Sequence, residues 1–210
     1  MKILSCGAGM QSTSLALISC EQTKGIVRYP QVPRYDAVIY CDLGIEPPWV
    51  IQQVRFIQQA CESCDISFVI LKSNLYRDYM DNFGRRRVAG MPFWTIDPDG
   101  KKGRIGRRAC TIDYKILMIQ KYVRYQLLGY RPHQRSRPVD IGAHELHIGF
   151  SNEESHRSFP SHHPFFVNRF PLVEMGWERK DTYQYNREVW GLDTKAVSYT
   201  HLTLPTTERV

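Results

Sequence analysis

The chain has 210 residues, of which 42% are hydrophobic and 12% aromatic, and its formal net charge is +7. These values fit a folded domain and exclude a largely disordered chain. Its apolar runs fall short of the ~20 residues that a membrane-spanning helix needs, and the N-terminal run is too short for a signal peptide, so we expect a cytoplasmic protein with no membrane partner.

The first third of the chain alternates short apolar runs with helical patterns. The runs predict buried strands over residues 2–6, 36–41 and 66–71. The helical patterns predict helices over residues 11–22, from Pro47 and Pro48 to Ala60, and over residues 74–82.

Residues 83–110 differ from their surroundings because Gly, Arg and Lys dominate them. We interpret this segment as a basic insertion or a lid-like functional loop. Beyond it, the sequence predicts helices over residues 110–128 and 178–190, a strand over 146–150, a helix cap at 151–154 and a short extended segment over 169–174. The alternation predicts an α/β fold with an open, mainly parallel twisted sheet and helices on both faces.

The last residues are unlike the rest of the chain. Residues 197–210 are rich in Thr and lack periodicity, and they resemble the translation of a sequencing adapter. We therefore expect one domain over residues 1–196, with its natural C-terminus cut off, followed by a non-native tail. The alternative is an ordinary flexible tail.

The strongest motif joins the first strand to the first helix. It consists of Ser5, Cys6, Gly7, Ala8, Gly9, Met10, Gln11, Ser12 and Thr13. Glycines allow successive backbone N–H groups to converge on an anion, and a helix start adds unpaired N–H groups and a positive dipole end. The hydroxyls of Ser12 and Thr13 are candidate phosphate donors. Neither a Walker loop nor a dinucleotide fingerprint fits, and the alternative is a Gly-rich turn with a helix cap.

This motif resembles the PP-loop of the ATP pyrophosphatase and phosphoadenylyl-sulfate (PAPS) reductase superfamily, in its bacterial and phage forms. Gln11 stands where that loop usually has Asp. Four further segments resemble motifs of the group in the same order: residues 42–48, 107–115, 149–157 and 168–174. The resemblance implies a Rossmann-like, HUP-type nucleotide-binding domain that covers residues 1–196.

The motifs also indicate candidate site residues. The nucleotide-binding candidates are Ser5, Gly7, Ala8, Gly9, Gln11, Ser12, Thr13, Asp42 and Gly149, and the catalytic candidates are Arg108, Cys110, Lys115 and Arg157. Cations can clamp phosphate or sulfate, and neighbouring arginines would lower the pKa of a thiol at Cys110. Asp42 is a candidate Mg²⁺ ligand or an ordinary turn residue. The cations could equally form a solvated basic face, and Cys110 could be a packing residue.

Three functions remain open at this stage. The first is cleavage of ATP with Mg²⁺ between its α and β phosphates, which would adenylate or thiolate an acceptor such as tRNA or DNA. The second is reduction of PAPS with a thioredoxin-like reductant. The third is a non-catalytic basic module that binds nucleic acid. In the complete protein, Cys110 could be a ligand of an iron–sulfur cluster or zinc, whereas Cys61 and Cys64 alone make a weak zinc site.

Overall fold

The structure is a computed structural model that describes residues 1–44, 46–73, 75–82, 94–96, 102–105, 112–161 and 163–194. Its strands are β1 (Lys2–Cys6), β2 (Ala37–Asp42), β3 (Ser67–Lys72), β4 (Trp94–Ile96), β5 (Lys102–Ile105), β6 (His144–Ile148) and β7 (Phe166–Arg169). Its α-helices are α1 (Met10–Thr23), α2 (Pro48–Glu62), α3 (Leu75–Asn82), α4 (Leu117–Tyr122), α5 (Pro171–Glu174) and α6 (Arg179–Trp190).

Five strands form one parallel sheet in the order β3-β2-β1-β6-β7. The remaining two strands, β4 and β5, pair antiparallel as a separate ribbon within the predicted basic insertion. The predicted open parallel α/β fold is therefore confirmed. Among the described residues, no helix is long and apolar enough to cross a membrane.

Alternation along the strands gives the sheet two apolar faces. Leu4 and Val38 pack on one face in a cluster that includes residues of α1, α2 and α6, whereas Ile3 and Ile39 pack on the other face with Ile119 of α4. Successive side chains of a strand point to opposite faces, so apolar residues at consecutive positions require cover on both sides. Helices on both faces provide that cover, as the sequence predicts.

Three predicted elements differ from the structure, and the first is the strand predicted over residues 146–150, which is observed as His144–Ile148. The prediction of an extended segment over residues 169–174 is wrong, because β7 ends at Arg169 and Pro171 begins the short helix α5. Proline fits the first turn of a helix, where its missing N–H is not needed. The helix predicted over 110–128 is described from Ile112, and α4 is flanked by π-helical stretches at Ile112–Ile116 and Val123–Leu127.

Candidate nucleotide-binding site

The loop between β1 and α1 lies where the order of the sheet reverses. The chain leaves β1 through α1 and reaches β2 on one side, whereas the neighbour of β1 on the other side is β6. In open α/β sheets, this reversal leaves a crevice at the carboxyl ends of the two central strands, and ligands bind there. The loops that follow β1 and β6 border this crevice.

Backbone conformation and a serine define the shape of the first loop. Ala8 has a φ of 51°, which is the left-handed region, and Gly9 precedes the first residue of α1 in an extended conformation. The Oγ atom of Ser12 accepts the backbone N–H of Gly7 at 3.2 Å and donates to the carbonyl of Gly9 at 3.3 Å. The loop is thus folded back onto the start of α1, where helix N–H groups lack intrahelical partners.

Gln53 of α2 holds the loop in place through two hydrogen bonds. The Nε2 group of Gln53 donates to the carbonyl of Ala8 at 2.6 Å and to the Oγ1 atom of Thr13 at 2.9 Å. Thr13 is fully buried, and its hydroxyl donates to the carbonyl of Gly9 at 2.8 Å. This arrangement gives Thr13 a bracing role, and the predicted contact between its hydroxyl and a phosphate would require the network to open.

The loop that follows β6 touches the start of α1 directly. A Cβ atom on Gly149 would lie 2.9 Å from the backbone nitrogen of Ser12 and 3.2 Å from its Cα atom. Both neighbours are backbone atoms, which cannot swing aside as the end of a side chain can. Only glycine therefore fits at this position without a shift of one loop, and the nucleotide-binding role of Gly149 stays a prediction.

The carboxylate of Glu154 lies at the mouth of the crevice and contacts three polar side chains. The Nε2 group of Gln11 donates to Oε2 of Glu154 at 2.8 Å, which places Gln11 beside the segment that follows β6. The other oxygen of Glu154 pairs with Arg157 and, at 3.3 Å, with Arg179. The guanidinium of Arg157 also lies 4.5 Å from the centre of the Phe150 ring. Two cations therefore lie next to the loop and share the carboxylate of Glu154, and Arg179 also pairs with Glu153 at 3.5 Å.

Lys115 lies near the end of β2, where its backbone carbonyl accepts a hydrogen bond from the thiol of Cys41 at 3.7 Å. Burial raises the pKa of the Cys6 thiol at the end of β1, while bonds to Ala8 and Ser12 and the positive charge of Lys115 act against this rise. Burial likewise raises the pKa of Cys41 in β2 to about 12, again opposed by the charge of Lys115. Lys115 is thus close to the carboxyl ends of both strands, and its role as a phosphate clamp stays a prediction.

Asp42 is the last residue of β2, which pairs with β1, the strand that leads into the loop. Its Oδ1 atom accepts the backbone N–H of Gly44 at 2.8 Å, which is the bond of an ordinary turn residue. A carboxylate has further acceptor capacity, and Mg²⁺ is often held by one carboxylate together with substrate phosphates. The half-exposed position of Asp42 fits that mode. Among the described residues, no group of three His, Cys, Asp or Glu side chains has the arrangement of a metal site.

The remaining predicted residues fall into two groups. Ser5 lies inside β1, half-buried, in register with Ile39 and Ile148. Arg108 and Cys110 lie outside the described residues, as do most of the predicted insertion and the predicted tail. The roles proposed for Arg108 and Cys110 therefore remain predictions. The described cysteines, Cys6, Cys20, Cys41, Cys61 and Cys64, are all free and buried.

The structure adds a set of supporting residues that our sequence analysis does not include. In the interface between α1 and α6, the hydroxyl of Ser14 donates to Oδ1 of Asn186 at 2.9 Å, and Nδ2 of Asn186 donates to the carbonyl of Met10 at 3.1 Å. Ser14 and Asn186 are fully buried. A polar residue among the apolar positions of a helix, as Gln53 is among Val50, Val54 and Ile57, is a signal that could have indicated such roles.

Comparison with known proteins assigns no family. No protein-family model matches the chain, and no curated protein matches it at a significant level. The resemblance to the PP-loop superfamily thus rests on the motifs themselves.

Proposed function

We propose that this protein binds the phosphates of an adenine nucleotide in the loop between β1 and α1 and cleaves ATP between the α and β phosphates. The observation that carries the proposal is the position of this loop at the reversal of strand order, in contact with the loop that follows β6. An anion placed there would meet the N–H groups at the start of α1 and the positive end of its dipole.

The cations around the crevice support this assignment. Lys115 lies near the carboxyl ends of β1 and β2, and Arg157 and Arg179 lie at the mouth of the crevice. Salt bridges of half-exposed arginines are weak, so an incoming phosphate can replace Glu154 as their partner. Guanidinium groups bind phosphate through paired hydrogen bonds, which suits them to stabilise charge on the transferring group.

The reaction that fits this arrangement is nucleotidyl transfer. A nucleophilic oxygen of the acceptor attacks the α phosphorus, the bond from that phosphorus to the bridging oxygen breaks, and pyrophosphate leaves with the electron pair. The loop and the arginines would hold the leaving pyrophosphate. Mg²⁺ held by Asp42 and the phosphates would offset their negative charge. The adenylated acceptor could then be substituted, for example by a sulfur nucleophile.

Release of pyrophosphate from ATP·Mg²⁺, measured in the presence of tRNA or single-stranded DNA as acceptor, tests this proposal. We expect Ser12→Ala to reduce the rate by about 100-fold, because the Oγ atom of Ser12 holds Gly7 and Gly9 in the folded loop, and a small displacement of the groups that position the reacting phosphates has an effect of this size. Ser63→Ala changes a serine at the far end of α2 and serves as the control. No release, or equal release from the Ser12 variant, would contradict the proposal.

The alternative, PAPS reduction, needs a reactive cysteine thiolate. Each described cysteine is buried, and burial raises the pKa of Cys6, Cys41 and Cys64, which does not favour this alternative. Sulfite production from PAPS with thioredoxin measures it directly. Sulfite release without pyrophosphate release would replace our proposal with the reductase.

A further inference from the structure

A second concave site lies along the edge strand β7, apart from the loop site. It is a groove of about 430 Å³ between the segment 158–161 and β7, lined mainly by Ser158, Phe159, Pro160, Phe166, Asn168 and Phe170. Its volume falls in the range of small-molecule sites, and such sites combine apolar walls with a few polar groups. None of these residues belongs to the nucleotide site proposed above.

Two polar atoms in the lining residues are buried without a hydrogen-bond partner among the described residues: Oγ of Ser158 and Oδ1 of Asn168. The amide orientation of Asn168 is fixed by its Nδ2 group, which donates to the carbonyl of Phe159 at 3.1 Å. A flipped amide would place two acceptors against each other, so Oδ1 is the atom left without a partner. Buried polar groups are usually paired, and a ligand with hydrogen-bonding groups would satisfy both atoms.

The walls of the groove are aromatic. Three phenylalanines line it, and the ring of Phe170 also stacks on Phe150, with centroids 5.7 Å apart and planes 8° from parallel. The guanidinium of Arg157 covers the Phe150 ring, and Arg157 directly precedes the groove residue Ser158 in the chain. Stacked phenylalanine rings and an arginine form the type of surface on which unpaired bases stack.

We propose that this groove binds an unpaired nucleobase. The base lies against the phenylalanine rings, Oδ1 of Asn168 accepts one of its N–H groups, and the hydroxyl of Ser158 bonds to a ring nitrogen or carbonyl. The net charge of +7 and the flanking Arg157 and Arg169 favour an attached phosphate. Each of these arginines is held by one partly exposed ion pair, with Glu154 and Glu174, which a phosphate can replace.

The polar atoms distinguish a base from an extended peptide as the occupant. A peptide that adds to an edge strand bonds to backbone N–H and C=O groups. In this groove, the two atoms without a hydrogen-bond partner among the described residues belong to the side chains of Ser158 and Asn168. A planar ring with donors and acceptors on its edge matches that pattern. The proposed base contacts do not depend on nucleotide binding at the β1–α1 loop, although Arg157 borders both sites.

Binding of two fluorescent twelve-residue oligonucleotides tests the proposal. One is oligodeoxyadenylate, and the other has the same phosphates but abasic sites, so only the first can place bases in the groove. We expect the wild-type protein to bind oligodeoxyadenylate about tenfold more tightly at equal salt, as stacking of a base typically gives. The variant Ser158→Ala/Phe159→Ala should lose most of this difference and retain its affinity for the abasic strand, whereas the exposed-site control Val139→Ala should behave as wild type.

A second measurement uses the wild-type protein, so its result does not depend on whether the variants fold. Adenosine and oligodeoxyadenylate are titrated separately while the side-chain amide signal of Asn168 is followed by NMR. A saturable shift with adenosine alone assigns the base to a free nucleoside, and a shift with the oligonucleotide alone assigns it to a strand; both support the groove. Equal binding of the two oligonucleotides together with an unmoved Asn168 signal would overturn the proposal.

Discussion

Gly149 and Ser12 are in backbone contact across the crevice of the sheet: a Cβ atom on Gly149 would lie 2.9 Å from the nitrogen of Ser12. The contact joins the segment that follows β6 to the first turn of α1. These are the two loops that border the reversal of strand order, so their spacing fixes the shape of the candidate phosphate site.

Replacement of Gly149 by alanine tests this contact. We expect Gly149→Ala to lower the free energy of unfolding by about 1–3 kcal/mol, because a methyl group would force two backbone segments apart. Gly7→Ala is the matched control within the same site, since a Cβ atom there would meet nothing within 4 Å. Urea denaturation measures both. Equal stability of the Gly149 variant and the wild type would show that the loops separate easily.

Gln53 gives a second test of how the loop is held. Gln53→Leu leaves the carbonyl of Ala8 and the hydroxyl of Thr13 without their donor in a buried place, so we expect a loss of about 1–3 kcal/mol. The neighbouring Gln52 is exposed, and Gln52→Leu should change the unfolding free energy by less than about 0.5 kcal/mol. The bracing role of Gln53 is wrong if both variants have the same stability in thermal and urea unfolding.

The pair formed by Ser14 and Asn186 couples α6 to the first turn of α1. In a double-mutant cycle of Ser14→Ala and Asn186→Ala, we expect a coupling energy of at least about 0.5 kcal/mol, because the side chains share a buried hydrogen bond. Gln184 is exposed on the same helix, so the cycle of Ser14→Ala with Gln184→Ala should be additive. Additivity in the first cycle as well would mean that α6 does not hold α1 through this bond.

Stability should fall as the pH drops below the ordinary histidine value of about 6.5. Burial lowers the pKa of His144, His147 and His163, so the unfolded chain takes up protons that the folded chain does not. Stability is therefore complete above about pH 6.5 and is lost as the pH falls toward the folded pKa values. Between pH 7.5 and 5.5 we expect a loss on the order of 1 kcal/mol in urea denaturation.

Variants identify the groups responsible for this pH dependence. His147→Gln should reduce the slope of the unfolding free energy against pH, because His147 is buried between Tyr35 and Glu145. His156 is exposed, and His156→Gln should leave the slope unchanged. The pKa values of Asp140 and Glu145 are lowered, chiefly by hydrogen bonds from Tyr130 and His147 respectively, and their contributions are lost in a lower window, below about pH 4.5. If the free energy of unfolding depends on pH as steeply in His147→Gln as in the wild type, the other histidines cause this dependence.

The sequence predicts most of the sheet because buried parallel strands are short apolar runs with loops at both ends. β1, β2 and β3 lie within one residue of the predicted strands. The sequence does not predict β7, because its four residues, Phe166–Arg169, are two apolar residues followed by two polar ones, which is too short a run to show a strand pattern. Strand order is fixed by packing between distant parts of the chain, and no local pattern reveals that β6 lies beside β1.

The site was predictable where backbone conformation imposes a residue type. The glycines after β1 indicate one bordering loop, and Gly149, near the end of the strand predicted over residues 146–150, indicates the other. The sequence does not predict the roles of Gln53 and Asn186, because tertiary packing alone brings them to their partners, which include the carbonyls of Ala8 and Met10. The sequence does not predict the groove beside β7 either, since it depends on atoms of Ser158 and Asn168 that have no hydrogen-bond partner among the described residues.

The most direct test of the central claim is an NMR titration of the ¹⁵N-labelled protein with ATP·Mg²⁺. We predict saturable shifts of the backbone amides from Gly7 to Ser12 and of Gly149, and inorganic pyrophosphate should displace the nucleotide from the same signals. Gln11→Glu adds negative charge beside Glu154 and should weaken binding by about tenfold, whereas Gln59→Glu on exposed α2 surface should not. Saturable ATP binding that leaves the amides of residues 7–12 unmoved, or no binding at all, would contradict the account.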